Sequence, residues 1–252
     1  MGVSVTKRIS QITQPRGGYI NPKDMVIIPL QNQKELKEEE NIPASLIGLV
    51  VDYLTRFMLT YDIESSFKVP FLGAKIINEL EIAKDLAKYI MDDLDKWSII
   101  SACQLVGYDV CYRAGVAGYR PVEEIEPDDD TIYNIRELVK RSLRFFDTYG
   151  PIVKDGFTLE GGYTSTISSG DGDFLTNDTL WDFKVSKSAP TNKQTLQLLV
   201  YYLMGKHSIH KEFDSIKYLA IFNPRLNTIY RYDLNNLTAD IIEKVEKEVI
   251  GY

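Results

Sequence analysis

The chain predicts an α/β (α+β) fold, and three observations predict it. Apolar residues between 45 and 149 recur at spacings of three and four, the period of helices that bury one side. From 157 onward the period drops to two, as in strands that present alternate residues to a core. One helix-period stretch returns at 192–204 between two sets of strands, so the C-terminal half mixes strands and helices and is not a bundle.

Residues 1–44 are polar and punctuated by Gly17, Gly18, Pro22 and Pro43, and read as an N-terminal arm with one short strand over 25–30. The stretch 45–59 places Leu46, Leu49, Val50, Tyr53, Leu54 and Phe57 on one side of a helix. Further helices are expected over 74–91, 93–112 and 131–149. The last carries Ile132, Ile135, Leu138, Val139, Ser142, Phe145 and Phe146 on one side, has Asp130 where an N-cap belongs, and stops at Gly150-Pro151. Residues 45–150 therefore form a helical segment and 151–252 a core. In that core, strands are expected over 157–167, 172–175 and 180–185, with Asn177-Asp178-Thr179 as a turn. The helix 192–204 ends at Gly205, which suits a C′ glycine. Strands over 216–222 and 228–232 flank Asn223-Pro224, and a helix over 235–249 closes the order β-β-β-α-β-β-α.

Composition narrows the functional classes. The 252 residues are 44% hydrophobic with a net charge of −7. No run is long and apolar enough to span a bilayer. The start MGVSVTKRIS lacks the apolar core of a signal peptide, so a cytoplasmic protein is expected, and Thr6 after Met-Gly reads as chance composition and not as lipidation. Cys103 and Cys111 cannot hold a four-thiolate cluster, match no common zinc spacing, and read as buried apolar residues. The negative charge argues against a general nucleic-acid coat. Its distribution is uneven: Glu123 to Asp130 is an acidic block, whereas 184–217 holds six lysines against Glu212 and Asp214, a local balance of +4.

The chemistry concentrates at Gly170-Asp171-Gly172-Asp173-Phe174-Leu175 and Leu180-Trp181-Asp182-Phe183-Lys184-Val185. Residues two apart on a strand share a face, so Asp182 and Lys184 project together while Trp181, Phe183 and Val185 face the other way. Asp171 and Asp173 share a face on the preceding strand, and a short turn makes the two strands antiparallel neighbours. Two carboxylates so placed repel unless a cation lies between them. Magnesium suits such oxygen ligands and keeps several waters. On the following helix Gln194, Gln197 and Tyr201 fall on one side, with Leu196, Leu199 and Leu203 on the far side packing the sheet.

The series Gly170-x-x-Asp173-x-Leu175, Asp182-x-Lys184 and Gln197-x-x-x-Tyr201 resembles the RecB-like branch of the PD-(D/E)xK nuclease superfamily, clearly over about 157–232. That resemblance implies a restriction-endonuclease-like core, a central mixed sheet flanked by helices, and metal-dependent hydrolysis of phosphodiester bonds in DNA. It implies that Asp173 and Asp182 bind magnesium (manganese substituting), that the Phe183 carbonyl assists, that Lys184 acts in catalysis, and that Gln197 and Tyr201 mark the next helix. The family's early-helix histidine falls at Asp52, with Arg56 where a glutamate is frequent, so the third ligand lies between Asp52 and Glu160.

Other readings are bland. Leu175 and Thr176 occupy positions where an EF-hand loop needs an oxygen ligand and glycine. His207 and His210 read as a surface pair, and Asp109 and Arg113 as a structural one. Arg136, Lys140, Arg141 and Arg144 either follow a DNA backbone or form a solvated helix face. The helical segment is expected to shape a DNA channel or dock a protein partner. Two rival functions stand: a catalytically idle binding or assembly protein, and an RNA-directed nuclease of a defence or toxin system.

Overall fold

A computed structural model of the chain describes residues 2–31 and 34–252. It is mixed α/β and divides into two compact units, one of Met1–Gln31 with Phe146–Tyr252 and one of Asn32–Phe145. In chain order the elements are β1 (Val3–Ser4), α1 (Val5–Gln11), β2 (Val26–Pro29), α2 (Ala44–Thr60), α3 (Ile63–Ser66), α4 (Lys68–Ile76), α5 (Leu80–Ala87), α6 (Lys96–Val106), α7 (Asp109–Arg113), α8 (Asp129–Tyr149), β3 (Lys154–Thr158), β4 (Ile167–Ser169), β5 (Asp171–Leu175), β6 (Thr179–Phe183), α9 (Asn192–Lys206), β7 (Tyr218–Asn223), β8 (Thr228–Asp233) and α10 (Ala239–Lys244). No described helix is long and apolar enough to cross a membrane.

The first unit is built on a six-stranded mixed sheet in the order β2-β8-β7-β6-β5-β3. Only β6 and β7 are parallel; the other neighbours run antiparallel. A parallel pair needs a crossover, and α9 supplies it. The expected arm is not separate: β2 pairs with β8, Val3 of β1 pairs with Ile167 of β4, and α1 packs on α9. The strand expected over 157–167 divides instead into β3 and β4, because Leu159–Thr166 turns through Gly161 at a φ of 89°.

Helix α9 departs from its expected two-sided form. Leu196, Leu198, Leu199, Val200, Tyr201, Leu203 and Met204 are all buried, in one core with Val5, Ile9, Leu180, Leu219, Val245 and Val249. Strands lie on one side and the terminal helices cover the rest, so a wider arc than the sheet-facing one is apolar. Thr191 and Gln194 form its capping box.

Gly205 is not the C′ glycine expected of it. The helix continues to Lys206, and Gly205 has no left-handed φ. Its hydrogen lies against the Phe213 ring, where a Cβ would come within 2.1 Å of Cε1. Gly205→Ala is therefore expected to destabilise. Overpacking a closed core costs about 1–3 kcal/mol, which exceeds the roughly 1 kcal/mol of helix propensity that alanine returns. Urea denaturation checks the sign.

The second unit is helical. Asn78, at a φ of 62°, breaks the stretch expected as one helix into α4 and α5. Asp128, not Asp130, caps α8, its carboxylate accepting from the Thr131 N–H at 2.8 Å. The basic stripe on α8 is not a free face: Arg136 Nε donates to the Leu94 carbonyl at 2.8 Å, and buried Arg141 donates to that of Lys34 at 2.6 Å. Cys103 and Cys111 are buried, as read.

Candidate active site

The acids meet because of strand register. Phe174 pairs with Trp181 and Leu175 with Leu180, and the same register sets Asp173 opposite Asp182. Phe174 and Trp181 stack at 6.1 Å on one face, covered by Phe146 and Tyr149. Leu175 and Leu180 enter the core beneath α9 on the other, which is the face that Asp173 and Asp182 share.

Asp182 is only 2% exposed. Its Oδ1 accepts from Lys184 Nζ at 2.9 Å, while Oδ2 is buried with no hydrogen-bond partner among the described residues. Burial pushes the Asp182 carboxyl up to about 6; Lys184 opposes that rise and the Asp173 charge adds to it. An unsatisfied buried oxygen of this kind costs on the order of 1–3 kcal/mol or more. Asp173 is half-buried, and its Oδ2 accepts from the Phe183 N–H at 2.6 Å, which ties β5 to β6 beside Asp182.

Tyr201 and Gln197 stand close by on α9. Tyr201 is buried and its hydroxyl accepts from Gln197 Nε2 at 3.0 Å. Burial pushes the phenol well above its ordinary range; the Gln197 bond opposes the shift, and Asp182, Asp171 and Asp173 add to it. The phenol thus lies in the field of all three aspartates. Gly170 and Gly172 make room: a Cβ on Gly170 would meet the Val5 side chain at 2.6 Å, and one on Gly172 would enter the Phe157 ring.

Asp171 and Glu160 lie toward the β3 edge of the sheet. Asp171 is exposed, opposite Thr158 on β3. Glu160 accepts from Thr158 Oγ1, which pulls its carboxyl below the usual range, and lies 3.4 Å from His210 Nε2. His207 pairs instead with Glu246 at 3.1 Å, so the histidines do not converge. Asp52 belongs to the helical unit, where Arg56 Nε donates to both its oxygens at 3.2 Å. Among the described residues no three His, Cys, Asp or Glu side chains gather as a metal cage. A divalent ion would have two carboxylates, Asp173 and Asp182. That set fits magnesium, which keeps waters beside one or two carboxylates, and the partnerless Asp182 oxygen fits a cation.

Asn223, which the sequence pattern places only between two expected strands, is a structural anchor. It is 1% exposed at the end of β7, donating to the Ser186 carbonyl at 2.8 Å and accepting from the Arg225 N–H at 3.0 Å. It thereby anchors the segment that follows Lys184. An Asn closing the strand parallel to Asp182-x-Lys184 was the available signal. Compared with protein-family models, curated proteins and solved structures, the chain finds no match.

Proposed function

We propose that this chain is a magnesium-dependent nuclease that hydrolyses phosphodiester bonds in DNA, with manganese able to substitute. The observation that carries it is the Asp182 carboxylate, buried opposite Asp173 with Lys184 on one oxygen and, among the described residues, no hydrogen-bond partner on the other. Asp173 and Asp182, with the Phe183 carbonyl, would hold the ion. When bound, such an ion lowers the pKa of a water and neutralises charge on a phosphate. Lys184 orients the attacking water and offsets negative charge as it develops on the phosphate. Tyr201, kept protonated by burial and held by Gln197, offers a hydroxyl as a donor to phosphate oxygen. The order β3-β5-β6-α9-β7-β8 and the Asp182-x-Lys184 placement support a restriction-endonuclease-like core of the RecB-like kind.

Incubating wild type and Asp182→Ala with single-stranded DNA, duplex DNA and RNA in manganese tests the proposal. DNA is expected to be degraded by wild type alone. Three intact substrates would overturn the enzyme reading, and degradation of RNA alone would redirect it to an RNA-directed nuclease.

One observation favours the idle reading, a binding or assembly protein. Both acids already have intramolecular partners, the Phe183 N–H and Lys184. An idle site predicts no carboxylate-dependent metal binding.

A further inference from the structure

The helical unit carries a cavity of about 530 Å³ that the proposed chemistry does not use. Its apolar wall includes Leu46 and Leu49, one turn apart on α2, with Val106, Val110 and Ile125. Its polar groups are few and unevenly committed. Asp109, 2% exposed, accepts from the buried Tyr53 hydroxyl and from Arg113 Nε, at 3.2 Å for the latter. That carboxylate is satisfied, and it fixes the Arg113 guanidinium by one edge. Arg113 also hydrogen-bonds to Tyr53, and its side chain is 48% exposed, so the guanidinium keeps further donors toward the cavity. Arg120, also lining the cavity, makes no hydrogen bond or ion pair there. Among the described residues, Glu124 is the lining acid without a hydrogen bond or ion pair.

We infer that this cavity binds a monoanionic carboxylate with an apolar body, its head held by Arg113 and Arg120. Three physical points select that class. A guanidinium has donors only, and a planar carboxylate matches its fork bidentately. Asp109 balances Arg113 and Glu124 balances Arg120 in formal charge, so the guanidinium donors left over, and not net charge, favour an acceptor-only head over a cation. Glu124 in turn repels a second negative charge, which disfavours a phosphate monoester. The volume lies within the usual 300–1,000 Å³ of small-molecule pockets. Asp109 and Tyr53 serve as positioning residues for Arg113.

The test uses three probes with one ring system: 2-naphthoate, neutral 2-naphthamide and 2-naphthyl phosphate. Amide NMR shifts of the full chain report affinity and location. 2-Naphthoate is expected to shift the Leu46, Leu49, Val110 and Ile125 signals and to bind at least tenfold more tightly than 2-naphthamide. Arg120→Gln, an exposed position, is expected to erase that tenfold preference while leaving the melting temperature unchanged. Leu49→Trp, which fills the apolar wall, is expected to weaken both 2-naphthoate and 2-naphthamide. Equal binding of acid and amide, shifts confined to other residues, or a preference that survives Arg120→Gln would overturn the inference. Tighter binding of 2-naphthyl phosphate would overturn the choice of a carboxylate.

Discussion

Lys184→Ala is expected to slow DNA cleavage by about 10²–10⁴-fold, the range for losing a positioned acid–base group, in single-turnover assays with saturating manganese. The side chain bonds directly to Asp182, and its charge opposes the rise of the Asp182 carboxyl. Its removal has two consequences. The water and the developing phosphate charge lose their cationic neighbour, and the Asp182 carboxyl rises beyond about 6, so that cleavage falls off at a higher pH than in wild type. Lys184→Arg separates charge from proton transfer, because a guanidinium stays protonated. Recovery of the pH profile without recovery of the maximal rate is expected. A Lys184→Ala protein that cleaves at the wild-type rate would contradict the assigned role.

Asp182→Asn is expected to stabilise the metal-free protein at pH 8 by about 1–3 kcal/mol, the order of free energy linked to a carboxyl raised from 3.8 to about 6. That corresponds to roughly 2–12 °C in melting temperature for a chain of this size. The sign follows from linkage. The folded carboxyl titrates at about 6, above its ordinary 3.8. The stability contributed by the protonated form is complete below about pH 4 and lost as pH rises through about 6. Above that, folding retains a buried charge. The amide removes the charge, so its advantage appears at pH 8 and vanishes near pH 4, as thermal melts across that range would record. A variant less stable than wild type at pH 8 would show that the Asp182 charge holds the fold together instead of straining it.

The site is legible in the sequence to the extent that local geometry decides it. Period two puts Asp182 and Lys184 on one face, and a three-residue turn is short enough to force β5 against β6, so the facing of Asp173 and Asp182 follows from the sequence. The helix period likewise aligns Gln197 with Tyr201. What was hidden depends on distant chain. Nothing local says that α1 and the terminal helices enclose α9, so Tyr201 read as an edge residue although it is buried. Gly205 looks like a helix stop until Phe213 is seen against it. The polar stretch before 32 gives no local sign that β2 completes a sheet edge, because β8, with which it pairs, lies about 200 residues on. Asp128 and Asp130 are indistinguishable as caps by composition alone, and only the backbone decides between them.

The central claim is that Asp173 and Asp182 together hold a divalent cation. Calorimetric titration of manganese into wild type, Asp173→Asn and Asp182→Asn tests it most directly. A saturable heat for wild type, absent from both variants while all three proteins remain folded, is the predicted result. Identical heats in the three proteins, or no saturable heat in any, would contradict it.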